Sequence, residues 1–560
     1  MPRRQDSQAH DIEVATVQIS PVEGPPDAKT RRYDRQLRLW AASGQNALEA
    51  SRVLVIGGGA TSTSILKNLV LPGIGHFTIL DSAKVSPEDA GNNFFLEGHH
   101  SIGKSRAQET VRLLLELNDS VDGVADESDL DDILTNRPEY FATFTLVVAH
   151  NLDPQLLAQI ASLLWQNPAL PPLVVVRSAG LLAEFYVQFH EHTGPSRCHV
   201  ICDQSPHVVL VIDSHSETTP SLRIDKPFPA LLEHALSLDF KNMDEVERAH
   251  VPYLIILVRV LEDWKKSHNG QPPKDAKEKK EFKESIHTYG AKRDEENFEE
   301  AEAQAYRAWT STNVPSDITA LFADPGLIAL STMPELAEDP TRVFFHLLAA
   351  LKKFTEQPPH VLPLSSNLPD MKSDTKQYVH LQTLYKRRAE EEREMVRKLL
   401  APRVQVHDAL LAEFVKNAHG LKILRGQRWG ALDEEGSTLT NAFSSAPRET
   451  VTHLALSALA SYLSKSKTVT PTAEALRAEL DAVVSIAGAT LPDDEDDLDN
   501  ALGEAARSPT ADLPTTAAFL GGLVAQEAIK MITRQYVPIN GVCVVDLVGS
   551  WTGMLSNSNN

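Results

Sequence analysis

The sequence predicts an α/β fold: a Rossmann-like domain interrupted by a large, mainly helical insertion. Three observations predict it. A glycine turn, Gly57-Gly58-Gly59, lies between a β-branched run and an amphipathic helix. Strand-like and helix-like segments then alternate to about residue 225 and give way to long helical stretches. After about residue 510 the alternation resumes. Alternating elements of this kind build a parallel sheet covered by helices, and an all-helical stretch in the middle reads as an insertion.

Taken in order, residues 1–28 are largely polar, with Pro21, Pro25 and Pro26 near the end, and read as a flexible lead-in. Tyr33, Leu37 and Trp40 share one face of a predicted helix, with Arg35 and Arg38 off that stripe. Arg52–Ile56 is a buried strand, followed by the glycine turn and a helix carrying Ile65, Leu66, Leu69 and Val70 on one side. Pro72-Gly73-Ile74-Gly75 ends that helix, and His76–Leu80 is a second strand closed by Asp81. The βαβ unit is expected to be right-handed and parallel. A helix near 104–117, a strand at 144–149, a helix near 154–165 and a strand at 173–177 follow. Helices are expected over 301–308, 341–355, 377–400 and 449–464, with 274–283 a solvated helix or linker and 491–497 an acidic loop. A helix over 515–533 and a strand over 541–548 complete the chain. The expected divisions are 1–28, 29–227 for the first part of the α/β domain, 228–510 for the helical insert and 511–560 for the completion.

Composition excludes several functions. The 560 residues hold 54 Lys plus Arg against 76 Asp plus Glu, a net charge of −22. That balance argues against broad nucleic-acid binding, which runs on phosphate neutralisation. The 3 cysteines, Cys198, Cys202 and Cys543, make neither a disulfide framework nor a four-cysteine zinc site, and point to a reducing compartment. No apolar start predicts a signal peptide, and no run of apolar residues is long enough to predict a membrane span.

The glycine turn is the sharpest chemical signal. Backbone N–H groups after a strand and before a helix can hold a phosphate, and Asp81 lies where an acid grips a ribose hydroxyl. Ser62 stands at the third glycine position of a dinucleotide fingerprint, however. A tight strand–helix turn without a ligand therefore explains these residues equally well. Cys198 and Cys202, with His190, His192 and His199, could be read as a metal cluster, but the stretch reads better as strands and its ligand spacing is poor.

Tyr33-Asp34-Arg35-Gln36-Leu37-Arg38-Leu39-Trp40, the glycine turn, Leu69–Gly75 and Asp81 together resemble the activating enzymes of ubiquitin-like modifiers. Glu88–Leu96, Ser101–Lys104, Asp225–Pro229, Val251–Tyr253, Leu261–Lys266 and Thr516–Gly522 narrow the likeness. They resemble the regulatory subunits of heterodimeric neddylation-activating enzymes, of the amyloid-precursor-binding-protein type. The likeness runs collinearly from about residue 30 to 550 and implies a ThiF-type adenylation fold. In that family an active half adenylates the modifier with ATP and Mg²⁺ and then forms a thioester on a cysteine.

The departures from an active half carry as much information. Active halves have Asn-x-Asn-Arg-Gln-Phe after the ribose acid; here Gly91-Asn92-Asn93-Phe94-Phe95 offers no Arg to the phosphates. Where the family places a metal-binding Asp, this chain has His150-Asn151, with Asp153 three residues late. Its helical stretch 228–510 contains no cysteine. The resemblance thus implies a catalytically silent subunit with a vestigial nucleotide site, Gly57, Gly59, Asp81 and Lys104, and no metal. The family role of Lys104 is a phosphate contact, but here the residue reads better as an ordinary lysine at a helix start. ATP and Mg²⁺ are expected in the catalytic partner subunit. A neddylation-type modifier and a conjugating enzyme are the further expected partners, with neither nucleic acid nor membrane. Arg35 resembles an arginine inserted in trans into the partner's ATP site; its alternative is a surface Arg paired with Asp34 or Glu49. Two other functions stay open: an autonomous nucleotide-binding enzyme, either an adenylating enzyme or a dinucleotide oxidoreductase, and the regulatory subunit of the sumoylation pathway. The expected location is cytoplasmic and nuclear.

Overall fold

The structure is a computed structural model and describes residues 28–192, 211–212, 221–290, 295–333, 342–434, 436–466, 470–489, 491, 496–534 and 536–556. The chain divides into two compact units, Met1–His199 with Ile423–Asn560, and Val200–Lys422.

The first unit is built on eight strands: β1 (Arg52–Ile56), β2 (His76–Leu80), β3 (Asp122–Asp126), β4 (Leu146–His150), β5 (Leu173–Ala179), β6 (Leu182–Gln188), β7 (Gly541–Asp546) and β8 (Trp551–Ser556). Their order across the sheet is β8-β7-β6-β5-β4-β1-β2-β3. The five strands from β5 to β3 run parallel, while β6, β7 and β8 join antiparallel. Parallel strands are buried on both faces, which is why β1 reads as an unbroken Val-Leu-Val-Ile run whose last four residues are buried. The order reverses between β1 and β4. The crevice outside the carboxyl ends of those two strands is where open α/β sheets place ligands.

The helices of this unit include α1 (Asp34–Glu49), α2 (Ala60–Val70), α3 (Arg106–Leu115), α4 (Pro154–Gln166), α5 (Pro447–Lys465), α6 (Ala473–Ala487), α7 (Asp496–Arg507) and α8 (Pro514–Thr533), with further helices and turns between them. The last of these, α8, packs along α2, so the C-terminal segment completes the domain that the glycine turn begins.

The expected insert boundaries, 228–510, differ from the observed division. Residues 423–510 sit with the sheet because α5, α6 and α7 bury Leu454, Leu459, Leu480 and Leu502 in one cluster with Ala179 of β5 and Leu182 of β6. A buried ionic group fastens the same junction. Arg177 pairs with Glu184, and His453 of α5 bridges Glu184 Oε2 at 2.7 Å and Asp433 Oδ1 at 2.9 Å. The Arg177 guanidinium also lies over the Trp429 ring, 4.9 Å from its centroid.

The second unit is mainly helical. Its core surrounds the helix Tyr253–Ser267, of which Tyr253, Leu254, Ile255, Ile256, Leu257, Val258, Val260 and Leu261 are all buried. Arg223, held at φ 51°, binds Glu392 through a bidentate fork of 2.6 and 2.7 Å, and the N–H of Leu364 donates to the same carboxylate at 2.7 Å. Two opposite charges and a backbone N–H are thereby satisfied out of water.

Local expectations differ in places. The segment 301–308 is the end of the helix Glu296–Ala303 followed by a 3₁₀ turn, Ala305–Ala308. The 274–283 segment forms the helix Ala276–Ile286, whose buried Phe282 and Ile286 make it a packed element rather than a linker. β3 was invisible to periodicity because its Asp-Gly-Val-Ala-Asp run is half exposed at the sheet edge. Residues 1–27 lie outside the described residues.

Candidate functional site: the crevice of the glycine turn

Gly57 adopts φ +93° immediately after β1, and its N–H donates to the Leu80 carbonyl at 3.0 Å. A side chain there would be strained, so glycine is required by the backbone alone. The next N–H, of Gly58, donates to Asp81 Oδ2 at 2.7 Å. That oxygen also receives Arg106 Nε at 2.6 Å, and Asp81 Oδ1 receives the N–H of Ala83 at 2.9 Å. Arg106 reaches on to Asp89 Oδ1 at 3.1 Å. Asp81 is 8% exposed. Its carboxylate thus serves the turn and Arg106 instead of presenting itself to a ribose.

Gly59 opens α2 without a side chain to cap it. The cap is Asp512, from the loop before α8: Thr61 N–H donates to Oδ2 at 3.1 Å and Thr61 Oγ1 to Oδ1 at 2.6 Å. Asn93 sits below, accepting from Thr63 Oγ1 at 2.9 Å and donating to the Gly58 carbonyl at 3.2 Å. Phe94, where active halves of the resembled family carry Arg, is 84% exposed.

At the end of β4, His150 Nε2 meets Ser178 Oγ at 2.9 Å. Burial pulls the His150 imidazole below its ordinary range; Arg106 adds to the shift and Asp512 opposes it. Asp153 is a helix cap, accepting from Gln155 N–H at 2.9 Å and from Ser464 Oγ at 2.9 Å. Lys104 is half exposed and pairs with Glu109 at 3.5 Å, as a lysine at a helix start does.

This donor set does not fit MgATP. The helix N-terminus already holds a carboxylate, the ribose acid is already paired, Phe94 stands where the phosphate-facing arginine would be, and the imidazole of His150 stands in place of the metal-binding acid. Among the described residues no group of three or more His, Cys, Asp or Glu is arranged to hold a metal. His190 stacks on Trp165 with centroids 3.9 Å apart. Cys198, His199 and Cys202 lie outside the described residues, as does the side chain of His192.

Arg35 is exposed on the first turn of α1. Both acids that could pair with it are engaged elsewhere: Asp34 with Arg38 at 3.1 Å and Glu49 with Lys29 at 2.7 Å. Among the described residues Arg35 has no ion pair. Tyr33 and Trp40 are buried as the stripe predicts, with Leu37 half-buried. Tyr33 Oη accepts from Asn118 at 3.0 Å, which fixes the start of the helix.

Cys543 is buried in β7. Burial pushes its thiol up to about 11, and the carboxylates of Glu527 and Glu184 push in the same direction. A nucleophilic thiol needs the opposite, a lowered pKa and access.

Two residues of this crevice escaped the sequence reading. Arg106 lies two residues past Lys104, the end of the Ser101–Lys104 segment, and could have been found as a cation close to the ribose acid. Asp512 could not, because 451 residues separate it from Thr61.

An open, mostly parallel sheet with a glycine turn at its switch point defines an α/β protein of the nucleotide-crevice class, here with the crevice filled from within. The chain belongs to the ThiF family, whose model matches residues 33–549. Within that family it matches NEDD8-activating enzyme E1 regulatory subunits almost end to end. That of Xenopus laevis is 32% identical over 92% of this chain and 96% of its own length. That of Gallus gallus is 33% identical over 93% and 97%. The AXR1 protein of Arabidopsis thaliana, which carries the same description, is 31% identical over 92% and 94%. Among the described residues no helix is long and apolar enough to cross a membrane.

Proposed function

We propose that this chain is the non-catalytic half of a heterodimeric activating enzyme for a neddylation-type ubiquitin-like modifier. The catalytic partner subunit binds ATP and Mg²⁺, adenylates the modifier and carries the thioester, and the assembled pair hands the modifier to a conjugating enzyme. One observation carries the reading: the crevice where a ThiF-type half would hold its nucleotide is occupied by the chain's own Asp512 and Arg106. The regulatory relatives that span more than nine-tenths of the chain support it. The same filled crevice disfavours an autonomous nucleotide enzyme.

In this reading Arg35 reaches the partner's phosphates in trans. Its support is local: the guanidinium is exposed, without an ion pair among the described residues, on a helix whose opposite side is anchored by Tyr33 and Trp40. A planar, permanently charged fork is suited to a triphosphate as charge develops. The interface with the partner would be obligate and roughly 2,000 Å² or more. The chain's acidity suits a modifier with basic faces. The cytoplasm and nucleus are the proposed location, in keeping with the buried reduced thiol Cys543.

The test is reconstitution with the catalytic subunit, ATP and the modifier, followed by non-reducing electrophoresis. The expected result is a reducible modifier adduct on the partner and none on this chain. An adduct on this chain would overturn the assignment.

A further inference from the structure

The N-terminus of α2 is an anion position: N–H groups without intrahelical partners converge there and the helix dipole favours negative charge. In this chain the anion is a carboxylate supplied from the far end of the sequence. Asp512 takes both the N–H and the hydroxyl of Thr61, at 3.1 and 2.6 Å. The carboxylate lies close against the turn: a Cβ on Gly59 would lie 2.7 Å from Asp512 Oδ2. The absence of a side chain at Gly59 leaves room for the Asp512 carboxylate.

The loop that delivers Asp512 is fastened on both sides. Gly180 N–H donates to the Ala511 carbonyl at 3.1 Å, and Thr516 Oγ1 donates to the Gly180 carbonyl at 2.6 Å. Among the described residues, the two cationic or titratable neighbours of the turn are already committed. Arg106 is already shared between Asp81 and Asp89, and burial disfavours the charged form of His150.

We propose that Asp512 is a built-in phosphate surrogate, which fills the anion position of the glycine turn and so excludes a nucleotide's phosphates from this subunit. The proposal deepens the non-catalytic reading and rests on it. It makes the silent site an actively closed one: the phosphate-binding backbone persists, and one carboxylate keeps it shut. Removing that carboxylate should reopen it to phosphate and polyphosphate.

The experiment uses the full chain, with magnesium-free pyrophosphate as the probe, read by equilibrium dialysis and by the thermal midpoint. Asp512→Ala should lower the midpoint, and pyrophosphate should restore part of it, with affinity about tenfold or more above that of the unaltered chain. Asp512→Asn keeps an acceptor for the Thr61 N–H while dropping the charge, so it folds as the control and should show a smaller gain. Equal affinity in the unaltered chain and both variants would overturn the proposal. So would a folded Asp512→Ala chain that gains nothing. Pyrophosphate exchange by the unaltered chain is measured alongside. Exchange there strikes the non-catalytic reading, whereas an inactive chain whose variants gain no affinity strikes this proposal alone.

Discussion

Asp81 and Arg106 close an ion pair of 2.6 Å at the point where the fold would present an acid to a ribose. Both side chains are largely out of solvent, and the same carboxylate oxygen holds the Gly58 N–H. Asp81→Asn leaves Arg106 short of a partner and weakens the turn, at a cost of about 3 kcal/mol. Chemical denaturation of the variant measures it. A stability unchanged within 0.5 kcal/mol (about the scatter of surface substitutions) would return Asp81 to a ligand-facing role.

The ionic group at the sheet–helix junction makes stability depend on pH. Burial alone pulls the His453 imidazole down, but the Glu184 and Asp433 carboxylates outweigh it and raise it to about 10. A group raised above its unfolded value, about 6.5, stabilises fully below that value and loses the contribution as pH rises through 10. Glu184 and Asp433 are both lowered, so their contribution holds above their unfolded values and fades as the solution is acidified. Stability should therefore fall steadily between about pH 6.5 and 10. His453→Gln should flatten that alkaline limb while lowering stability at neutral pH. A limb of unchanged slope in the variant would show that another group titrates.

Cysteine chemistry should be dispensable. Replacing Cys198, Cys202 and Cys543 with Ala leaves modifier charging by the reconstituted pair at its normal rate. The cost is about 1 kcal/mol of stability from the cavity at the buried Cys543. Loss of charging in a folded triple variant would mean that one of these thiols takes part.

Arg35 separates a scaffold from a participant. Arg35→Ala should leave heterodimer assembly intact by gel filtration and slow adenylation by the partner, by up to roughly 10²–10³-fold. Arg35→Lys should recover part of the rate, since a point charge lacks the planar fork. Undiminished adenylation by an assembled Arg35→Ala pair would leave this chain a scaffold.

How much of this was legible in the residues depended on the range of each contact. The βαβ core was legible because β1, α2 and β2 are contiguous and their burial follows local periodicity. The return of the chain through α8 and β7 was legible for the same reason. The limits of the insertion were not. The sequences of α5 and α7 have helical texture, but only the packing of Leu454 and Leu502 against Leu182 assigns them to the sheet unit. At the crevice, glycine, acid and missing arginine could be read from spacing, whereas the identity of what fills it could not. Asp512 looks like any loop aspartate until the fold brings it to Thr61.

This subunit is expected to do no adenylation of its own and to work only through a partner. The direct measurement is ATP–pyrophosphate exchange at saturating modifier, with the purified chain alone and again with the catalytic subunit added. No exchange above background is expected from the chain alone, and robust exchange from the pair. Robust exchange by the single chain would contradict that expectation.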